Sequence, residues 1–249
     1  MISNPVIDTM MAHRSVRRYT DEMPSDEVIE TVVRAGQQAP FAYQCYSVIL
    51  SRGKNPFDAP LLFTFCVDLH KFELIMEKRG WTRATNDLTA ILFAVEDASY
   101  MAQNMVVAGR SLGLGSCFIG APLGHPEPFR ERYNLPPKVY PIVQLAMGYP
   151  AEEDPVRPRY PMGFTLFEDR YPELGDATIE EAMREMDDGY MGQGYYERIN
   201  YMVPLPEGRE EKHDFTTYGW TEHISRKLGL WADSLEEQRD QIRKCGFDV

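Results

Sequence analysis

The sequence has little that would suit it to a polyanionic partner or to a bilayer. Its 249 residues hold 26 Lys and Arg against 38 Asp and Glu, a formal charge of -12. A field of that sign repels nucleic acid and anionic membrane surfaces alike. No run of about 18 apolar residues occurs, so no membrane-spanning helix is expected. The start, MISNPVIDTMMAHRSVRRY, lacks the continuous apolar stretch of a signal peptide. Cysteine is scarce as well. Cys45, Cys66, Cys117 and Cys245 show no CxxC spacing, and Cys66 and Cys117 sit in apolar runs, which reads as reduced packing residues. His70, His125, His213 and His223 have no metal-ligand spacing, so no metal is expected, and no Ser/His/Asp arrangement is recognisable from sequence order. What remains is a soluble, cytoplasmic protein whose partners are small molecules, with no nucleic acid and no membrane.

There is enough apolar material, 43% of residues, to bury a substantial core. Val28, Ile29, Val32 and Val33 fall at helical spacing in a segment from Asp26 to Gln38, with Ser25 as its N-cap and Pro40 closing it. Two short β-rich runs follow, Tyr46 to Leu50 and Leu61 to Val67, joined by the loop RGKNPFDAP. The segment from Asn86 to Leu112 has no proline and carries Ala94, Ala98, Met101, Ala102, Met105 and Ala108 on one face, which predicts a long central helix. Its small residues admit either a neighbouring helix or a flat ligand. A turn, a short strand in GLGSCFIGAP, a helix from Glu127 to Tyr133 and a strand from Ile142 to Met147 complete an α+β pattern. Beyond Pro150 the composition changes. The expected division is a core over residues 1–160 and a C-terminal helical extension over 161–249 that wraps a partner and lines the pocket.

Three constellations stand out. His13-Arg14-Ser15-Val16-Arg17-Arg18-Tyr19 packs three arginines and a serine into a chain that is otherwise acidic. Arginine stays charged and donates two parallel hydrogen bonds, which suits a phosphate. Arg157-Pro158-Arg159-Tyr160-Pro161 is a second, stiffened pair. Solvated basic patches account for either alone; two pairs in one acidic chain point towards a bound phosphate. Gly113-Leu114-Gly115-Ser116-Cys117-Phe118-Ile119-Gly120 is not a dinucleotide fingerprint, because it leaves a helix for a strand and has Phe118 where the third glycine belongs. Its glycines read as the end of the helix, with Gly113 or Gly115 left-handed. Cys45 beside Gln44 has no identifiable base, so packing or ligand lining is preferred over a nucleophile.

These pieces in this order resemble the nitroreductase family, in particular its oxygen-insensitive NADPH nitroreductases and NADPH-dependent FMN reductases. The likeness is carried by HRSVRRYTDEMPS, Gln44-Cys45, YMAQNMVVAGRSLGLGSCFIGAP, LAMGYPAEEDPVRPRYP, YGWTEHISRKL and RKCGF. It implies a mixed sheet flanked by helices, a homodimer, and FMN as cofactor. Hydride would pass from NAD(P)H to a small aromatic acceptor in a ping-pong sequence, with the chemistry on FMN and no catalytic side chain. By position, His13, Arg14 and Ser15 match the ribityl phosphate side and Arg17 the pyrimidine edge. Gln44 belongs to the same cofactor set. Phe118, Ile119, Gly120 and Ala121 match the backbone lining the ring, and Arg157 and Arg159 a basic pair reaching the phosphate. Arg209, Lys212 and His213 lie where NADPH-preferring relatives carry a basic loop, and are candidates for the 2′-phosphate; their neighbours Glu210 and Glu211 favour a merely solvated loop equally.

The chain departs from that branch in its short loop from Ser51 to Pro60, in Gln37-Gln38-Ala39-Pro40 where a serine-rich run is usual, and in Phe118 where tyrosine is common. Two alternatives stay open: a non-catalytic FMN-binding or sensing protein, and a specialised reductive dehalogenase or ene-reductase.

Overall fold

The computed structural model describes residues 2–230 and 234–249. The residues group into two compact units, Met1–Asp154 with Ser234–Val249, and Pro155–Asp233. The sequence reading draws its boundary at 160; the units divide after Asp154, and Ser234–Val249 rejoins the first.

In chain order the first unit holds α1 (Pro5–Met11), α2 (Asp26–Gln37), β1 (Tyr46–Arg52), β2 (Leu61–Asp68), α3 (His70–Lys78), α4 (Asp87–Ser111), β3 (Gly115–Ile119), α5 (Ala121–Gly124), α6 (Glu127–Tyr133) and β4 (Val139–Gly148). The second holds α7 (Asp176–Gly192), α8 (Tyr195–Arg198) and α9 (Trp220–Leu230), and α10 (Leu235–Lys244) belongs to the first again. The sheet order is β1-β2-β4-β3. Each of these pairings is antiparallel, and with the helices around them they make the α+β class that the sequence predicts. Among the described residues the parallel pairing is an isolated bridge, Ser15 to Ser116.

Local signals explain the helix ends. Ser25 Oγ accepts the Val28 amide and Asn86 Oδ1 accepts the Thr89 amide, each satisfying an orphan donor of a first turn. At the far end of α4, Gly113 adopts φ +83°, its amide reaches the Arg110 carbonyl and the Leu114 amide the Gly109 carbonyl. That pattern needs a residue free of the Cβ penalty, and Gly113 supplies it.

β2 is buried along its whole length. With β4 it lies in a core that includes Val32, Phe63, Phe65, Ala94, Met101, Met105 and Leu145. α2 packs on α4 so closely that a Cβ on Gly36 would lie 2.5 Å from Met105 Cγ. Cys245 and Phe247, just after α10, are buried in the same core. In the second unit, Met186, Tyr190, Tyr196 and Tyr218 form a separate cluster. All four cysteines are free and buried. No described helix is long and apolar enough to cross a membrane, and no described group of His, Cys, Asp and Glu could hold a metal.

Candidate functional site

After α1 the chain runs alongside β3. The Val16 amide donates to the Ser116 carbonyl at 2.9 Å, which places the His13–Arg18 segment beside the Gly115–Ala121 segment. Val16 is 1% exposed, and β3 carries glycine where they meet because a Cβ on Gly115 would lie 2.6 Å from Val16 Cγ2. Tyr19 fixes the other end by donating its hydroxyl to the Val16 carbonyl at 2.6 Å. Burial raises that hydroxyl well above the usual tyrosine range, so it remains a donor.

The first arginine of this segment, Arg14, is incompletely paired. Arg14 Nη1 donates to the Asp154 carbonyl at 2.8 Å, but its Nε is buried with no partner among the described residues. Glu153 Oε2 lies 3.9 Å from Nη1, on a side chain 89% exposed, against 17% for Arg14. A carboxylate that exposed is screened and mobile and adds little. Arg110, in the last turn of α4 and half-buried, is held below the usual arginine value by burial and then by the charge of Arg14. Two partly desolvated cations and an orphaned N–H are costly as they stand, about 1–3 kcal/mol for the donor alone. An anion removes that cost. Arg110 was not legible as a site residue, because an arginine at a helix C-terminus reads as a complement to the helix dipole.

The Cys117 thiol donates to the Phe118 carbonyl at 3.5 Å; burial raises its pKa, against the charge of Arg17, which lowers it. Arg17 itself is exposed and His13 half-buried. At the end of β3, Phe118 is 42% exposed, and Ile119 leads into the exposed Gly120 and Ala121. A groove of about 600 Å³ opens there, lined by Tyr100, Phe118, Gly120, Leu123 and Ile142 among others. Two of the predicted stretches, residues 13–17 and 118–121, are thus adjacent.

Gln44 lies elsewhere, just before β1, at the opposite edge of the sheet from β3. Its backbone is left-handed, φ +56°. Asp97 on α4, 1% exposed, accepts the amides of Ala42, Tyr43 and Cys45 around it. Burial, then the Asp97 charge, pushes the Cys45 thiol up to about 11, which leaves it protonated and suited to packing. Asp97 carried no signal in the sequence beyond being a charge on the buried side of a helix.

The other predicted residues belong to the second unit. Arg157 donates to Gln193 Oε1 at 2.6 Å and lies 4.2 Å from the centre of the Tyr195 ring. Arg159 is exposed, with Nη1 on the carbonyls of residues 157 and 158. In the basic loop, Glu211 accepts both Nη groups of Arg226 at 2.7 Å and the amides of Lys212 and His213. These bonds, those from Arg226 foremost, hold its carboxyl down at about 2. Glu211 is therefore committed to Arg226, which is 5% exposed, while Arg209 and Lys212 are exposed. His213 bonds the Thr217 carbonyl through Nδ1 at 3.0 Å.

The sequence matches the model of the Nitroreductase family over residues 49–149. A Cr(VI) reductase of Pseudomonas sp. (strain G-1) is 33% identical to it, across 98% of this chain and 99% of that protein. The chain belongs to the nitroreductase family. The FMN reductase (NADPH) of Bacillus subtilis is 28% identical over 82% of this chain and 93% of its own. The structure of B. megaterium NfrA2 superposes with a TM-score of 0.83 at 27% identity, covering 99% of both chains. The nitroreductase match takes in Asp97, Arg110 and residues 118–121, whereas residues 13–17 and the second unit lie outside its span.

Proposed function

We propose that this nitroreductase-family chain is an FMN-dependent oxidoreductase that takes hydride from NAD(P)H and delivers it to nitroaromatic, quinone or flavin acceptors, the two substrates using one pocket in turn. The observation that carries the reading is the pair Arg14 and Arg110, half-buried, with a buried guanidinium N–H left unpaired. A phosphate fits that donor set, because it accepts from arginine in a fork and offsets both charges. His13, Arg14 and Ser15, joined by Arg110, would hold the phosphate of FMN. Arg17 would face the pyrimidine edge and the backbone of Phe118–Ala121 would line the ring, while Gln44, at the opposite edge of the sheet, would meet the ring held by a second copy. Arg157 and Arg159 stay in the proposed set on the family resemblance.

When bound, FMN supplies a ring that accepts a hydride from one substrate and gives it to the next. The work of the side chains is to bind, orient and exclude water. A fixed cation at Arg17 would favour the flavin form carrying more negative charge at that edge. No acid or base from the protein is assigned. Relatives named FMN reductase (NADPH) support cofactor and donor, and the Cr(VI) reductase adds an oxyanion to the acceptors worth assaying.

The proposal includes a homodimer. α4 buries Ala94, Ala98, Met101 and Met105 yet leaves Leu88, Leu92 and Tyr100 at 56%, 59% and 45% exposed. A helix apolar on both faces calls for a second surface, and a second copy would supply it. The test of the cofactor assignment is the visible spectrum of the purified protein, with identification of the group released on denaturation. A flavin spectrum and released FMN support the reading. Protein that is colourless and takes up no added FMN overturns it.

A further inference from the structure

Asp97 has no place in the chemistry so far described, yet it is among the most deeply buried charges of the first unit. Its carboxylate accepts the Ala42 amide at 2.6 Å, the Tyr43 amide at 3.0 Å and the Cys45 amide at 3.2 Å. No salt bridge to it occurs among the described residues. A carboxylate taken out of water must be compensated by a cation or by several hydrogen bonds, and here three backbone donors do so. Such an arrangement converts an electrostatic demand into a backbone shape: the loop between α2 and β1 must bring those amides to one point.

Two further features show what the shape is for. Gln44, which separates the bonded amides of Tyr43 and Cys45, is held at φ +56°. A residue with a Cβ enters that region only when its surroundings over-determine it, and such strain gathers at ligand sites. The same loop leaves Phe41 and Tyr43 55% and 53% exposed, with Tyr43 edge-on to Phe93 at 5.4 Å. The carboxylate anchors the buried Cys45 at one end of the loop while Phe41 and Tyr43 stay outside the core. A loop so held offers a preset wall for a flat ligand, since a loop ordered in advance does not have to be ordered on binding.

We propose that Asp97 is a positioning residue, acting through the amides of Ala42, Tyr43 and Cys45 to preset Gln44 and its aromatic neighbours, at the edge of the sheet opposite β3, against the FMN ring held by the second copy of the proposed homodimer. The inference rests on the reading of Gln44 as a cofactor residue. The hydrogen bonds that the Asp97 side chain makes among the described residues are all to backbone amides.

The experiment compares the full-length FMN-loaded protein with Asp97→Asn and with Asp87→Asn. Asp87 is a matched control: a buried carboxylate on the same helix that instead pairs with Arg83 and Lys138. Both variants should lower the melting temperature. Only Asp97→Asn should weaken FMN binding, by about ten-fold or about 1.4 kcal/mol, and shift the visible circular dichroism of the flavin at saturating FMN. Equal FMN affinity and identical spectra in the two variants would overturn the proposal. Hydrogen exchange on the wild-type apoprotein gives a second reading that survives a misfolded variant. Amides of residues 42, 43 and 45 protected before FMN is added support a preset loop; exchange at unfolded-chain rates overturns it. A wild type that binds no FMN refutes the cofactor reading itself, with or without the exchange result.

Discussion

Val16 donates its amide to the carbonyl of Ser116 at 2.9 Å, and through that bond the arginine-rich segment lies beside β3. Two stretches separated by about a hundred residues of chain are joined where the family resemblance expects one ligand. The contact is tight: Val16 stands where any side chain at position 115 would have to go.

Gly115→Ala therefore pushes against Val16, whose Cγ2 would lie 2.6 Å from the new methyl group. Overpacking of this sort costs about 1–3 kcal/mol. Urea unfolding should show the loss, FMN retention should fall with it, and Val16→Ala in the same chain should restore part of both. A Gly115→Ala protein as stable as wild type would show that the segment yields freely.

Arg14→Ala removes the donor whose Nε is buried and unpaired. FMN affinity should drop by about 1.5–3 kcal/mol, the range for hydrogen bonds to charged groups. Arg110→Ala should weaken binding too, and the double change by less than the sum, since both cations meet one anion. Unchanged FMN retention on dialysis in both single variants would move the phosphate elsewhere.

His223 is buried in the aromatic cluster of the second unit, and burial, with the charges of Lys227 and Arg226, pushes its pKa down to about 4. The unfolded chain protonates this imidazole near its ordinary value of about 6.5. Between those values the unfolded state binds the proton and the folded state does not. The stabilisation is thus complete above about 6.5, declines as pH falls, and is gone below about 4. The melting temperature should fall over that window, and His223→Phe should flatten this part of the profile. An unaltered slope would assign it to other groups.

The choice of hydride donor is testable in the loop that Glu211 and Arg226 pin. With Glu211 committed to Arg226, Arg209 and Lys212 are left to meet a dianion. Arg209→Ala with Lys212→Ala should raise KM for NADPH and leave NADH nearly unchanged, because only NADPH carries the 2′-phosphate. Equal effects on both donors, or none, would remove this loop from recognition.

Where side-chain periodicity or capping chemistry was strong, the sequence was readable. α2 with Ser25, α4 between Asn86 and Leu112, and α6 all lie within a residue of their expected limits. The sequence reading does not include α1 and α3, and neither buries a residue fully. The all-antiparallel pairing was hidden because strand order depends on contacts far apart in the chain. At the candidate site, the arginines stand out in the sequence through contrast with an acidic chain. Asp97 and Arg110 did not, since a single charge on a long helix acquires meaning only when the fold shows what it faces.

The central claim is hydride transfer through bound FMN, and the most direct measurement is an anaerobic titration of the purified protein followed by its visible spectrum. Added NADPH should bleach the flavin band within one stoichiometric equivalent, and a nitroaromatic or quinone added afterwards should return the colour at a rate fast enough for turnover. A protein that binds FMN yet keeps its colour under excess NADPH and NADH would contradict the account and leave a flavin-binding protein without turnover.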